Sequence, residues 1–263
     1  MSAEKTHPFV WYELMTTDAA AAVSFYHAVA GWNAQAAGFG PVPYTVLSVG
    51  QAGLGGIFEL NAEMCAQGAQ PAWVGYIGVD DVDAHVERLK AAGGSIQMGP
   101  MDMPGVGRFA MVADPGGANF VLFKPTSTEP LPEIAPRTQG SIGWRELHAA
   151  DGEAAFQFYS GLFGWTETSR MDMGPMGFYR LFATGPTSGR GPAVGGMMTR
   201  MPDSPRAFWL YYIEVDALGA AMDRAVAAGG RLLMGPHEVA GPMYIAQFFD
   251  PQGALFALVS VSR

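Results

Sequence analysis

An internal duplication limits the folds open to this chain. Residues 11–32 read WYELMTTDAAAAVSFYHAVAGW and residues 144–165 read WRELHAADGEAAFQFYSGLFGW, agreeing at ten of 22 positions. Residues 73–94 (WVGYIGVDDVDAHVERLKAAGG) and 209–230 (WLYYIEVDALGAAMDRAVAAGG) agree at eleven of 22. Met98-Gly-Pro recurs as Met234-Gly-Pro, and Asp114-Pro-x-Gly-Ala as Asp250-Pro-x-Gly-Ala, in the same order. One ancestral unit is therefore present twice, over 1–124 and 141–263, joined by a Pro-rich linker at 125–140.

A shorter repeat lies inside each copy. The pattern Trp-x6-Asp-x12-Gly occurs at Trp11/Asp18/Gly31, Trp73/Asp80/Gly93, Trp144/Asp151/Gly164 and Trp209/Asp216/Gly229. Each reads as a strand, an Asp near a helix N-terminus, about three turns of helix and a closing Gly. Short β-rich runs with turn signals follow, so each quarter is a βαβββ module and the fold class is α+β.

Alternation along the strands sorts side chains onto two faces. In the opening strands Leu14 and Leu147 belong to the helix side, which turns Trp11, Glu13 and Met15 to the open side in one copy and Trp144, Glu146 and His148 in the other. In the strands at 73 and 209 the open side receives Val74, Tyr76 and Gly78, and Leu210, Tyr212 and Glu214. Glu13 and Glu146 are the candidate catalytic groups. A strand-central carboxylate beside a Trp is desolvated, which raises its pKa toward that of a general base; the alternative is a structural carboxylate bonded to a backbone N–H or an Arg. Trp11, Tyr76, Trp144, His148 and Tyr212 are the candidate ligand-binding residues, against core packing as the alternative for the aromatics. His148 has Met15 as its counterpart. His7, His27, His85 and His237 read as solvated, and Gly-rich pieces such as GLGG read as turns.

Charge and composition narrow the partners. With 15 Lys+Arg against 24 Asp+Glu the net charge is −9, and no basic run offers a nucleic-acid surface. The ligand expected is a small aromatic or cationic molecule. A single cysteine, Cys65, leaves no internal disulfide and no Cys-based zinc site. The N-terminus has no apolar secretory core, and no segment approaches the roughly 18 apolar residues of a membrane span. The expectation is a cytoplasmic protein with no membrane partner.

The paired modules, the strand–Asp–helix–Gly-Trp opening and the closes DPGGANFVLF and DPQGALFALV together resemble the vicinal oxygen chelate (glyoxalase/bleomycin-resistance/dioxygenase) superfamily over almost the whole chain twice. The resemblance implies four modules curled into two open barrels of the glyoxalase/bleomycin-resistance type. It implies that one domain packs on the other as in the homodimers of single-domain relatives, the chain being a monomer or itself a homodimer. Metal-dependent members place His and Glu ligands on the first, fourth, fifth and eighth strands. Those positions fall here on Trp11 and Trp144; on Val74 and Leu210, or Trp73 and Trp209 one residue earlier; and on Val121 and Ala257. The fourth-strand position lies within GLGGIFEL and AVGGMMTR, with Glu59, Thr199 or Arg200 as the polar choices. Indole and aliphatic groups do not ligate divalent metals. The reading is a metal-independent small-molecule binding protein with no cofactor. The alternatives are a glyoxalase-like enzyme using Glu13 or Glu146 as base, or an atypical metal set with Glu146 and His148, and a domain kept for assembly. Loops 35–43 and 170–177 would set the cavity size.

Overall fold

The repeat is realised as four βαβββ modules. The computed structural model describes residues 6–37, 43–129, 132–185 and 192–263. The first module runs β1 (Phe9–Thr16), α1 (Ala19–Ala30), β2 (Asn33–Ala37), β3 (Tyr44–Val49) and β4 (Ala52–Glu59). A short helix, α2 (Ala62–Ala66), carries Cys65 and leads into β5 (Ala72–Gly78), α3 (Val82–Ala91), β6 (Ser95–Met103), β7 (Gly107–Ala113) and β8 (Asn119–Pro125). The second repeat follows with β9 (Ile142–Ala149), α4 (Gly152–Phe163), β10 (Thr166–Asp172), β11 (Phe178–Ala183) and β12 (Gly195–Thr199). It closes with β13 (Phe208–Glu214), α5 (Leu218–Ala227), β14 (Arg231–Val239), β15 (Met243–Phe249) and β16 (Leu255–Ser260). Residues 38–42 of the first expected loop lie outside the described residues. The second expected loop is the end of β10 and a 3-10 turn at Gly174–Met176.

The strands form two eight-stranded sheets, in the orders β2-β3-β4-β1-β5-β8-β7-β6 and β10-β11-β12-β9-β13-β16-β15-β14. The first strand of every module runs parallel to the last, which the intervening helix permits, and the hairpins between are antiparallel. The architecture is α+β.

Local chemistry explains the helix ends. Asp18 Oδ1 accepts from Ala21 N, and Asp151 Oδ1 accepts from Glu153 N and Ala154 N. Gly31 and Gly164 then close α1 and α4 in the left-handed region, at φ 75° and 71°. In the other two modules the cap moves one residue on. Asp81 caps α3, whereas Ala217 begins α5 with no side-chain cap.

Contacts gather the chain into two compact units, each drawing on both sequence repeats. One comprises Met1–Val10, Gly75–Thr128 and Trp144–Trp209, and the other Trp11–Val74, Glu129–Gly143 and Leu210–Arg263. In the first unit Tyr159 stacks on Trp165, Trp209 donates its indole N–H to the Tyr159 hydroxyl at 3.0 Å, and that hydroxyl reaches Asp114 Oδ2 at 3.2 Å. In the second, Tyr26 stacks on Trp32, Trp73 donates to Tyr26 at 2.8 Å, and Tyr26 donates to Asp250 Oδ2 at 3.0 Å. A buried phenol or indole needs such a partner. Burial pushes the Tyr26 hydroxyl pKa well up, with the Asp250 charge adding to it, and burial raises Asp114 and Asp250 as well. The Phe-Tyr, strand-Trp and Asp-Pro motifs thus meet in the core of each unit, with Tyr26 from the first repeat serving Asp250 from the second.

Arginines tie helices within each unit. Arg88 donates to the carbonyls of Gly161 and Leu162 at the end of α4, and Arg224 to those of Ala28 and Val29 at the end of α1. Both satisfy carbonyls the helix leaves unpaired and meet its negative end.

Two expectations are corrected. His7 and His85 are buried, not solvated. They lie ring against ring at 5.0 Å beside Phe163, with Nδ1 of His7 on Gly78 O and Nδ1 of His85 on Asp81 O. The GLGG segment is strand, not turn: Gly55-Gly56 lies in β4, as Gly195-Gly196 lies in β12. Among the described residues no helix is long and apolar enough to cross a membrane.

Candidate functional site

The opening strands alternate as their sequence predicts. In β1, Tyr12, Leu14 and Thr16 are buried while Trp11, Glu13 and Met15 are half-buried; in β9, Leu147 and Ala149 are buried while Trp144, Glu146 and His148 are half-buried.

Each carboxylate is held by a tyrosine from the third strand of its module. In the unit containing β9, Trp144 Nε1 donates to the Tyr179 hydroxyl at 2.8 Å, and that hydroxyl donates to Glu146 Oε2 at 2.8 Å. In the other unit, Trp11 Nε1 donates to the Tyr44 hydroxyl at 3.0 Å. Tyr44 in turn hydrogen-bonds Glu13; burial raises the Tyr44 hydroxyl pKa most, and the Glu13 charge raises it further. A Trp–Tyr–Glu chain therefore recurs in both repeats.

The paired glycines make room for it. β1 sets Glu13 opposite Gly56, and β9 sets Glu146 opposite Gly196. A Cβ at Gly56 would overlap the Tyr44 ring, and one at Gly196 the Tyr179 ring. A Cβ at Gly55 or Gly195 would overlap a carbonyl of the neighbouring strand, Tyr12 O or Arg145 O. Only glycine at these four positions permits the close strand and the overlying phenol.

The repeats then diverge. His148 Nε2 lies 2.8 Å from Glu146 Oε1, and its ring stacks on Phe208 at 4.6 Å and 9°. Both side chains remain slightly open, 14% for His148 and 13% for Glu146. Met15 and Ala72 take the corresponding places in the first repeat, where no such pair can form. Tyr76 packs edge-on against Phe123 at 5.7 Å. Tyr212 is buried and its hydroxyl accepts from Gln247 Nε2 at 3.2 Å.

The positions that the superfamily uses for metal do not suit a divalent ion. Trp11 and Trp144 donate their only polar hydrogen to tyrosine. Trp73 and Trp209 bond to Tyr26 and Tyr159 in the core, and Val74, Leu210, Val121 and Ala257 carry no donor atom. On the fourth strands, Glu59 accepts from Ala19 N at 3.0 Å and Thr199 Oγ1 from Gly152 N at 3.0 Å, each at the start of a helix, and Arg200 bonds to Ser204 O. Metal at this place needs imidazole, carboxylate or thiolate. Among the described residues no three His, Cys, Asp or Glu side chains are grouped to hold one.

Sequence reasoning did not find Tyr44, Tyr179 or Phe208. The signal for the tyrosines was there, a Tyr first in β3 and second in β11, the third strands of the two opening modules. It stands 33 residues after the Trp in one copy and 35 in the other, and that difference hides the match.

Comparison with known proteins bears on this geometry. The model of the Glyoxalase/Bleomycin resistance protein/Dioxygenase superfamily matches residues 9–122 and 141–258. CFP32 of Mycobacterium tuberculosis, which carries a provisional glyoxylase name, is 32% identical over 260 residues, covering 95% of this chain and 93% of that protein. The anthracycline biosynthesis protein DnrV of Streptomyces peucetius is 30% identical over 274 residues, covering 95% and 92%. Among solved structures, the Mn(II)-bound glyoxalase of Novosphingobium aromaticivorans superposes with a TM-score of 0.63 at 17% identity, covering 100% of this chain and 84% of that one. That last likeness is one of fold.

Proposed function

Because the chain belongs to the Glyoxalase/Bleomycin resistance protein/Dioxygenase superfamily, with indole and aliphatic groups where the superfamily's metal ligands stand, we propose that it binds a planar aromatic small molecule without a metal. The observation that carries this is the Trp–Tyr–Glu chain found in each repeat. It spends the indole N–H groups and the Tyr179 hydroxyl hydrogen within the chain itself, so that what these side chains can offer a ligand is their rings. DnrV adds weight to the aromatic class, anthracyclines being fused-ring aromatic compounds.

The test pairs elemental analysis of the purified, tag-free protein with calorimetry against a fused-ring arene such as anthraquinone-2-sulfonate. Well under one equivalent of transition metal, with saturable binding unchanged by a chelator, is expected. A stoichiometric metal whose removal abolishes binding would overturn the reading.

Turnover is the second reading, with Glu13 or Glu146 as general base. The close Glu146–His148 pair favours it in the second repeat alone.

A further inference from the structure

The second repeat differs from the first at the place where chemistry could occur. His148 sits where the first repeat has Met15, and Phe208 where it has Ala72. The arrangement around His148 is specific. Nε2 lies 2.8 Å from Glu146 Oε1, Glu146 Oε2 accepts the Tyr179 hydroxyl, and Phe208 covers one face of the imidazole. A carboxylate accepts, so Nε2 carries a hydrogen, and in the neutral imidazole Nδ1 presents a lone pair. Nδ1 has no hydrogen-bond partner among the described residues, and the side chain is 14% exposed. Among the described residues, Glu146 is the charged group in contact with the ring, and Tyr179 reaches it through Glu146.

We propose that the second repeat takes a proton from an acidic hydroxyl on the ring of its ligand, with His148 Nδ1 as the acceptor and Glu146 as the positioning residue. This rests on the aromatic-ligand reading above. In the step the ligand O–H bond breaks and an Nδ1–H bond forms. The electron pair stays on oxygen as an aryloxide, and the imidazolium is balanced by the Glu146 carboxylate. Nothing is oxidised or reduced. Free imidazole and a plain phenol differ by about 3.5 pKa units. The ligand class is therefore a phenol or enol whose hydroxyl is conjugated to an electron-withdrawing carbonyl or nitro group, which closes that gap. The first repeat, with a thioether at Met15, binds without proton transfer.

4-Nitrophenol is the probe, because its aryloxide absorbs in the visible and its neutral form does not. At about one unit below its own pKa the free probe is roughly one-tenth aryloxide. Full-length protein is titrated with it while tryptophan fluorescence reports occupancy. The expected result is an aryloxide fraction in the bound probe at least fivefold above the free level. Per occupied site, as normalised by quenching, it should return to the free level in His148→Met and His148→Gln, which keep the melting temperature, and be reduced in Glu146→Gln. Saturating quenching with a bound aryloxide fraction no higher than the free level overturns the proton transfer and leaves the binding reading standing. So does a band that survives in both His148 variants. Quenching by anthraquinone-2-sulfonate but not by 4-nitrophenol also overturns the hydroxyl recognition. Absence of quenching by either compound overturns both.

Discussion

At Trp11 and Trp144 one side chain decides what a strand position can do. The indole N–H only donates, so it passes its hydrogen bond to a tyrosine and orders a carboxylate two residues further along the strand. His85 shows the converse, a titratable group placed where its charge is unwelcome. Burial lowers its pKa most; the hydrogen bond to Asp81 O opposes that, His7 and Arg88 lower it further, and Asp80 raises it. A depressed histidine contributes stability that is present above its unfolded pKa and is lost as pH falls through the folded value. Unfolding free energy should therefore decline as pH drops below about 6.5, the ordinary histidine value. His85→Phe, which keeps a ring against Phe163, should flatten that slope in denaturant titrations run across the range. An unchanged slope would place the pH dependence elsewhere.

Among the elements, the four helices that follow the opening strands are near-copies with unequal caps. Three have an aspartate accepting from the first turn, and α5 begins at Ala217 with none, although its backbone there is extended at φ −140° and ψ 124°. Ala217→Asp should supply the missing acceptor and stabilise the chain by about 1 kcal/mol, the usual worth of an N-cap. A thermal melt reads this as a rise in midpoint, and no rise would mean that the first-turn amides of α5 are already satisfied by water. The strand–helix–strand order, the ends of α1 and α4 and the face alternation of β1 and β9 were legible from periodicity and turn residues; the caps of α3 and α5 lie one residue beyond the repeated Asp. The paired glycines were not, because a glycine in a strand and one in a turn look alike until the overlying phenol is known.

In the whole molecule, the compact units cut across the repeats that the sequence displays. Tyr159 needs Asp114 and Tyr26 needs Asp250, each pair spanning the two copies. Residues 141–263 expressed alone would leave Tyr159 and Asp250 without these partners and expose the aromatic faces around them. The isolated half is expected to be unfolded or to self-associate by sedimentation, while an equimolar mixture with residues 1–140 regains the near-ultraviolet signal of packed aromatics. A well-folded monomeric half would show that those buried pairs contribute little.

Duplication, module order and the α+β class followed from residues alone, because local periodicity and spaced motifs survive in a linear string; the superfamily entered as a resemblance carried by those motifs. So did the absence of ligating side chains at Trp11, Trp144, Val121 and Ala257, which depends on residue type and not on coordinates. Tertiary structure decided what the carboxylates touch. Tyr44 and Tyr179 lie more than thirty residues from the glutamates they hold, and Phe208 lies 60 residues from the histidine it covers. It also decided that His7 and His85 are buried, since burial depends on the elements that pack around a side chain. Contacts of that range are set by how strands and helices assemble, and no local pattern encodes them.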